Sequence, residues 1–513
     1  MKRLLLSLSL LLAGCSGCGP SQVEGELAFL RGAVLAPGGE GRAVGAGVLV
    51  EQAWTPGQEV TLGGVTDTAP AAPECAALFS VDLGDVSSLV AMGGEAPNTA
   101  LAWAPDGSKL AVGTHRGEVL VLDGWTGAVL GRRRLAETMA KAVAWAPDGG
   151  TLYAAEQSPD AYVHALEVPS LESRWLFRLA DELESSPPPP ATDVYGVYTL
   201  PAAWSVVVLD GGDLLVAGTH SWRVDDVHRN RARLWRLGPD GAVKDAWPED
   251  GPADATLLFP RVDEEADRVA IAVGRSAAGD PPEGLAIGGL QVLRLSDLTV
   301  QSGLMTPPLE PLFTSAAPWE AVDVEGDRVL AGYSDGRARV FTLDGAGAEA
   351  SALTLELGTP FLAGEVPLSA PVSWGLLTDD AVVTVTSDTN IPWGAQTTVS
   401  RPPSPHPGAN RLTVHGLDGT LRFAWSGEHV LYGLTEAPGD RLLVGAGERS
   451  SDDRRDLFGV LVFRGDALEV TCPTDSPVFF RHAAHGERIA VSEVPWTADD
   501  GSVLGSYRVT VLR

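Results

Sequence analysis

Apolar and polar residues alternate along much of this chain in short runs separated by turn residues. Residues 118–123, Glu-Val-Leu-Val-Leu-Asp, are one such run. A period of two sends successive side chains to opposite faces and predicts half-buried strands. The runs recur as a unit. Residues 100–135 and 142–179 share one plan. An apolar strand ends in Trp (Trp103, Trp145), Ala-Pro-Asp-Gly follows, and then come a second apolar strand, a short loop, an alternating third strand and a fourth. Proline presets φ at the first turn position and glycine accepts positive φ, so each Pro-Asp-Gly predicts a tight strand-to-strand turn.

Weaker copies follow at 204–243, 266–300, 321–345, 372–425 and 432–470. Units of roughly 40 to 65 residues, each with four short antiparallel strands, predict the blades of a β-propeller. The expected fold class is therefore all-β. Residues 77–92 read as the third and fourth strands of a blade that lacks its first two, and 479–513 as the first three strands of another. Joining the two ends in one sheet closes the ring and removes both open edges. This predicts eight four-stranded blades, with seven as the alternative count. One strand is then surplus, so either 78–83 or 507–512 is expected outside the ladder. Cys75 and Cys472 flank the closure. A disulfide between them would staple it, and two unpaired thiols are the alternative.

Composition changes the picture in two ways. The 37 basic and 67 acidic residues give a net charge of −30, which disfavours phosphate backbones and anionic headgroups as partners. The N-terminus reads as an export signal: Lys2 and Arg3, then the apolar stretch 4–12, then Leu12-Ala13-Gly14-Cys15. That stretch is too short for a permanent transmembrane helix. Its last four residues resemble the lipobox of bacterial lipoproteins, and an ordinary secretory signal is the alternative. The resemblance implies lipidation at Cys15, and Ser16 in place of Asp implies sorting to the outer membrane of a Gram-negative bacterium. Acyl chains would anchor the body without a membrane-binding surface of its own. The expected division is a signal peptide at 1–14, a lipidated Gly/Pro-rich tether at 15–75 that could hold a small β module near 46–51, and the propeller at 76–513. Cys18 lies in the tether and fits no zinc spacing.

The Ala-Pro-Asp-Gly turns and the hairpin Asp335-Gly336-Arg337-Ala338-Arg339-Val340 resemble those of WD-repeat and related bacterial propellers over residues 77–513. The Gly-His and Trp-Asp dipeptides of that family are missing, as is the repeated tryptophan signature of quinoprotein propellers, so the resemblance is at superfamily level. The blade count and anchor also resemble the propeller lipoprotein of the outer-membrane barrel-assembly machinery, by architecture alone.

Candidate chemistry is sparse. Gly332-Tyr333-Ser334-Asp335-Gly336 matches a nucleophile elbow, but that chemistry needs a strand-to-helix turn and here two strands are expected. His482 and His485 fall on opposite faces of a strand, which disfavours a shared metal. The acidic turn 497–501 is expected to be a solvated loop, and Trp103 and Trp145, at equal places in their repeats, to pack between blades. No cofactor or metal is expected. The loops between second and third strands are short in three units and long at 221–231, 275–289, 389–409, 449–457 and 495–505. Insertions on one face of a repeat array mark its binding face. The residues closing the second strands on that rim are His115, Glu156, His220, Arg275, Asp335, Asp388, Glu448 and Glu493. They predict either an acidic mouth for a basic peptide or cation, or ordinary polar strand ends. The leading function is a non-catalytic protein-interaction module, monomeric, with an envelope protein partner and no nucleic acid. The alternative is a propeller enzyme or small-ligand receptor with its site at that mouth.

Overall fold

A computed structural model describes residues 74–84, 100–184, 200–224, 227–275, 289–304, 321–391, 402–427, 429–447, 458–465, 467–497 and 502–513. Among the described residues its long strands fall into eight antiparallel groups of four, seven of them meanders in which every strand pairs with the next, and the eighth with its outer strand taken from the N-terminal side. Blade one runs Ala100–Trp103, Lys109–Gly113, Glu118–Asp123 and Val129–Arg134. Blades two and three share one extended sheet, linked by the single pair Ala202↔Gln157.

The Pro-Asp-Gly turns form as their chemistry requires. Gly107 and Gly149 take φ of +66° and +64°, and Asp106 Oδ1 accepts the Ser108 N–H at 2.9 Å. The second strands do not alternate in burial. Leu110, Ala111 and Val112 are all fully buried, as are Leu214 to Ala217, because both faces of each sheet meet another sheet. Among the described residues the core is accordingly divided among the interfaces between neighbouring sheets. One joins Leu209, Leu215 and Ala217 of blade three to Leu257, Val269 and Ile271 of blade four. Another joins Leu110, Val112 and Leu120 of blade one to Ala490, Val509 and Val511 of blade eight. The first strands touch one another in a closed cycle, with that of blade eight (Val478–His485) reaching that of blade one.

Closure differs from expectation in one respect. Blade eight contains Val478–His485, Arg488–Glu493, Arg508–Leu512 and, as its outer strand, Ala77–Asp82. Both segments expected to compete for the ladder are therefore in it, since Ala77–Asp82 pairs directly with Arg508–Leu512. The second strand expected in 77–92 and the small module near 46–51 lie outside the described residues. Cys75 and Cys472 form a disulfide with their Cα atoms 4.9 Å apart. It ties the chain entering the outer strand of blade eight to the outer strand of blade seven, Ala467–Pro473, beside the Cys75 N–H to Thr471 carbonyl bond of 3.1 Å.

A buried arginine clamps the same closure on its other side. Arg488 of blade eight donates to the carbonyls of Gly124 at 2.6 Å and Gly107 at 2.8 Å in blade one. Its guanidinium lies 4.6 Å from the Trp103 ring centroid and 4.0 Å from that of Trp125. Trp103 Nε1 donates to the Ala483 carbonyl of blade eight, and Trp145 Nε1 to the Ala102 carbonyl of blade one. The two repeat tryptophans thus each bind the preceding blade's first strand.

Reduction under denaturing conditions should add two hydrogen masses to the intact chain, and Cys472→Ala should abolish that difference while lowering stability by about 2–4 kcal/mol. Arg488→Ala should cost about 2–4 kcal/mol in chemical denaturation by removing two hydrogen bonds and a desolvated cation–π contact.

Candidate functional site

Antiparallel order fixes which connections share a face. Turns from first to second and third to fourth strands emerge on one side, and those from second to third and fourth to the next first strand on the other. On the first side the described turns hold two to five residues, as at 104–108, 124–128 and 326–327. On the second side connections reach 387–410, 179–201 and 357–371. The long insertions therefore gather on a single face, and inter-blade connections contribute as much as those within blades.

Where described, these insertions pack on one another. The 5→6 connection forms a small hairpin, Phe361–Ala363 with Val366–Leu368. Leu368 buries against Ile391 of the blade-six insertion, and Ser369 and Asn390 pair through their backbones. His406, 6% exposed, fastens the far end of that insertion. Its Nδ1 accepts the Gly408 N–H at 2.9 Å, so Nε2 carries the proton and donates to the Thr359 carbonyl at 2.9 Å. Burial lowers its pKa to about 4.

Three of the rim carboxylates are buried against partners of their own. Glu156 is buried and accepts Ser158 Oγ at 2.6 Å and His164 Nε2 at 3.2 Å. The carboxylate lies between serine and histidine, so the trio cannot relay a proton from the hydroxyl to the imidazole as a nucleophile–base pair does. Asp335 is fully buried and accepts Arg337 Nη1 at 2.7 Å and the Arg337 N–H at 3.2 Å. Burial nonetheless holds its carboxyl above the usual range. Glu493, also fully buried, accepts Arg508 Nε and Nη2 at 2.8 and 2.9 Å, the Thr510 hydroxyl, and the N–H groups of Asp475 and Ser476. Glu156 and Asp335 each pin their turn to the third strand of their own blade, and Glu493 pins the third strand of blade eight to the chain entering that blade. Asp388 is exposed, with Oδ1 accepting the Thr389 N–H at 2.7 Å. His115 is partly exposed, and burial together with nearby Lys141 brings its pKa to about 4. His220 is buried against Trp222, Arg275 closes the strand Arg268–Arg275, and Glu448 lies outside the described residues, as do Cys15 and Cys18.

Other expectations meet the geometry directly. Ser334 is buried between Arg328–Gly332 and Arg337–Leu343, a strand–turn–strand hairpin. His482 Nδ1 bonds Thr435 Oγ1 at 3.0 Å, while His485 lies near Trp103, so the two histidines serve different interfaces. The loop expected at 221–231 is instead a β-ribbon. Leu214–Val224 and Val227–Leu237 stay paired from Leu214↔Leu237 to Val224↔Val227. The loop at 495–505 holds a short hairpin, Trp496–Thr497 with Val503–Leu504. Sequence reading also missed Lys141, whose buried Nζ sits 3.5 Å from the Trp204 ring centroid on neighbouring first strands.

The fold and its packed face define the class: this is a β-propeller. No family model matches the chain, and no curated protein does. Among solved structures, Saccharomyces cerevisiae Sqt1 superposes with a TM-score of 0.50 at 10% identity, covering 85% of this chain and 98% of that one. The C-terminal WD40 domain of Sif2 gives 0.49 at 13% identity, covering 86% and 99%. BamB from Moraxella catarrhalis gives 0.37 at 13% identity, covering 68% and 81%. At such identities the likeness is one of fold alone.

Two measurements separate buried from exposed polar groups here. Asp335→Asn and Glu493→Gln should each lower stability by about 2–4 kcal/mol, whereas Asp388→Asn should stay within about 0.5 kcal/mol of the parent. Below the ordinary imidazole pKa the unfolded chain takes up a proton that folded His406 refuses, so stability falls as pH drops. Between pH 7 and 5 the loss should be about 2 kcal/mol, and His406→Gln should remove that part of the slope.

Proposed function

We propose that this chain is a lipid-anchored propeller of the bacterial cell envelope that acts as a non-catalytic protein-interaction module. In this reading the eight strand groups are the blades of one closed ring. Cys15 carries the lipid at the outer membrane, and residues between it and the ring form a tether. One observation carries the functional part: the long insertions between strands emerge on one face, and the described strand-to-strand turns of the opposite face are all tight. A scaffold that needed only stability would have no reason to distribute its insertions so unevenly. Binding surfaces are commonly built this way, on loops held by a rigid frame. The mutual packing of the 5→6 connection and the blade-six insertion supports a prepared surface, because ordered loops lose less entropy on docking. Fold likeness supports interaction only in general terms, since propellers host many functions.

Photocrosslinking residues placed at Asp388 on the insertion face and at Asp418 on the tight-turn face test the reading in native envelopes. Adducts to a defined protein from Asp388 alone are expected, and their loss on excision of 389–409 would locate the contact. Equal adducts from both faces would sink it. A Cys15→Ala chain should fail to incorporate labelled palmitate.

A further inference from the structure

Arg411 opens the third strand of blade six, Arg411–Gly416, on the insertion face. Its Nε is buried and has no hydrogen-bond partner among the described residues. Burial alone acts on its pKa, which it lowers, and no carboxylate there holds its charge. Two other arginines with an unbonded Nε keep a partner for the rest of the guanidinium. Arg268 Nη1 donates to the Gly326 carbonyl, and Arg328 Nη1 to the Asp379 carbonyl at 3.2 Å. Acids to pair with Arg411 are not scarce in a chain that has 67 of them. The carboxylate of Asp388, two residues beyond Thr386, accepts instead from the Thr389 N–H at 2.7 Å and from Asn410 Nδ2 at 3.4 Å.

Strand alternation sets where the group lies. Leu412 and Val414 pack toward blade seven, so Arg411, Thr413 and His415 take the opposite face, toward blade five. The other wall of that seam is apolar, with Leu353, Leu355 and Leu357 on and just beyond the outer strand of blade five, Glu349–Glu356. Thr413 Oγ1 is already bonded to Thr384 Oγ1 at 2.7 Å. His415 is buried, and burial holds its pKa below the usual imidazole range, so it adds no charge at neutral pH. Thr386 Oγ1 accepts the Arg411 N–H at 3.1 Å and donates to the Gly408 carbonyl at 2.5 Å, which fixes the Arg411 backbone beside the packed insertion layer. The arginine therefore stands half-buried at the insertion-face end of the seam.

A partly desolvated guanidinium without a counter-charge costs stability that no contact within the fold offsets. We propose that Arg411 is an oxyanion site at the insertion-face end of the seam between blades five and six, where it takes a carboxylate or phosphate group of a ligand. Burial selects the sign of the ligand, because an anion restores what the guanidinium loses on leaving water. The planar fork selects its shape, since two parallel N–H donors suit a group that presents two oxygens. The inference goes beyond the interaction-module reading: a free anion would satisfy Arg411 as well as a partner's side chain.

The test uses the full chain and a dicarbonyl reagent that modifies arginine, with the modified positions read by peptide mass mapping. Arg411 should react, and inorganic phosphate at constant ionic strength should slow its reaction severalfold while barely changing that of exposed Arg229. A capped glutamate-rich peptide separates the two sources. Protection at lower concentration than phosphate assigns the site to a protein carboxylate, and protection by phosphate alone assigns it to a free anion. Failure of Arg411 to react, or equal slowing at Arg411 and Arg229, overturns the proposal. Arg411→Met should melt at or above the parent in chloride, since no partner is lost, and should lose the rise in melting temperature that phosphate gives the parent. A clear fall in chloride would reveal a partner within the fold and overturn the proposal, as would a phosphate effect that survives the substitution. Crosslinking from Asp388 tests the interaction module separately. Adducts with Arg411 unprotected would leave the module without this site, and protection without adducts would leave the site without the module.

Discussion

Everything in this molecule depends on burying both faces of every sheet. A second strand such as Lys109–Gly113 or Leu214–Val224 carries apolar side chains on both sides within its blade, so a blade standing alone would expose one of them. Stacking neighbours solves this for all but the two ends of an open array. Only a ring leaves no end. The cluster between blades eight and one is therefore as necessary as any other, although its partners lie nearly 400 residues apart in the chain. That separation explains the concentration of fastenings there: an outer strand taken from the N-terminal side, a disulfide to blade seven, and Arg488 held between two tryptophans. Loop-closure entropy for so distant a contact must be offset, and several independent contacts do so at one seam.

The same closure sets the terms for function. With the sheets committed to one another, the freedom left to the sequence lies in the connections, and antiparallel order sorts these onto two faces. One face is uniformly tight. The other carries the insertions, the β-ribbon of blade three and the packed 5→6 layer. Buried carboxylates such as Glu156, Asp335 and Glu493 belong to the frame, since each is bonded to the third strand of its blade.

Particular residues show what could be read from the chain beforehand. The Pro-Asp-Gly turns, Trp103 and Trp145, and the opposed His482 and His485 behaved as local chemistry requires, because each rests on near neighbours in sequence. Residues 221–231 did not read as a ribbon, because arginine and histidine replace the apolar half of the strand pattern once the strands leave the blade and have no core to face. The rim positions were found as strand ends, but whether a strand-end carboxylate points outward or back at Arg337 or Arg508 is a matter of distances between strands. Cys75 and Cys472 posed the same difficulty: their pairing depends on where the outer strands of blades seven and eight meet.

The sequence by itself determined the repeat, the all-β class, the tight turns, and that the chain's two ends had to meet, since periodicity and turn chemistry are local. Tertiary structure alone decided that both end segments enter blade eight, that three of the rim carboxylates face inward, and that a charged stretch continues as β-structure. Those outcomes depend on which strands become neighbours, and neighbours in a ring are chosen by packing across the whole chain.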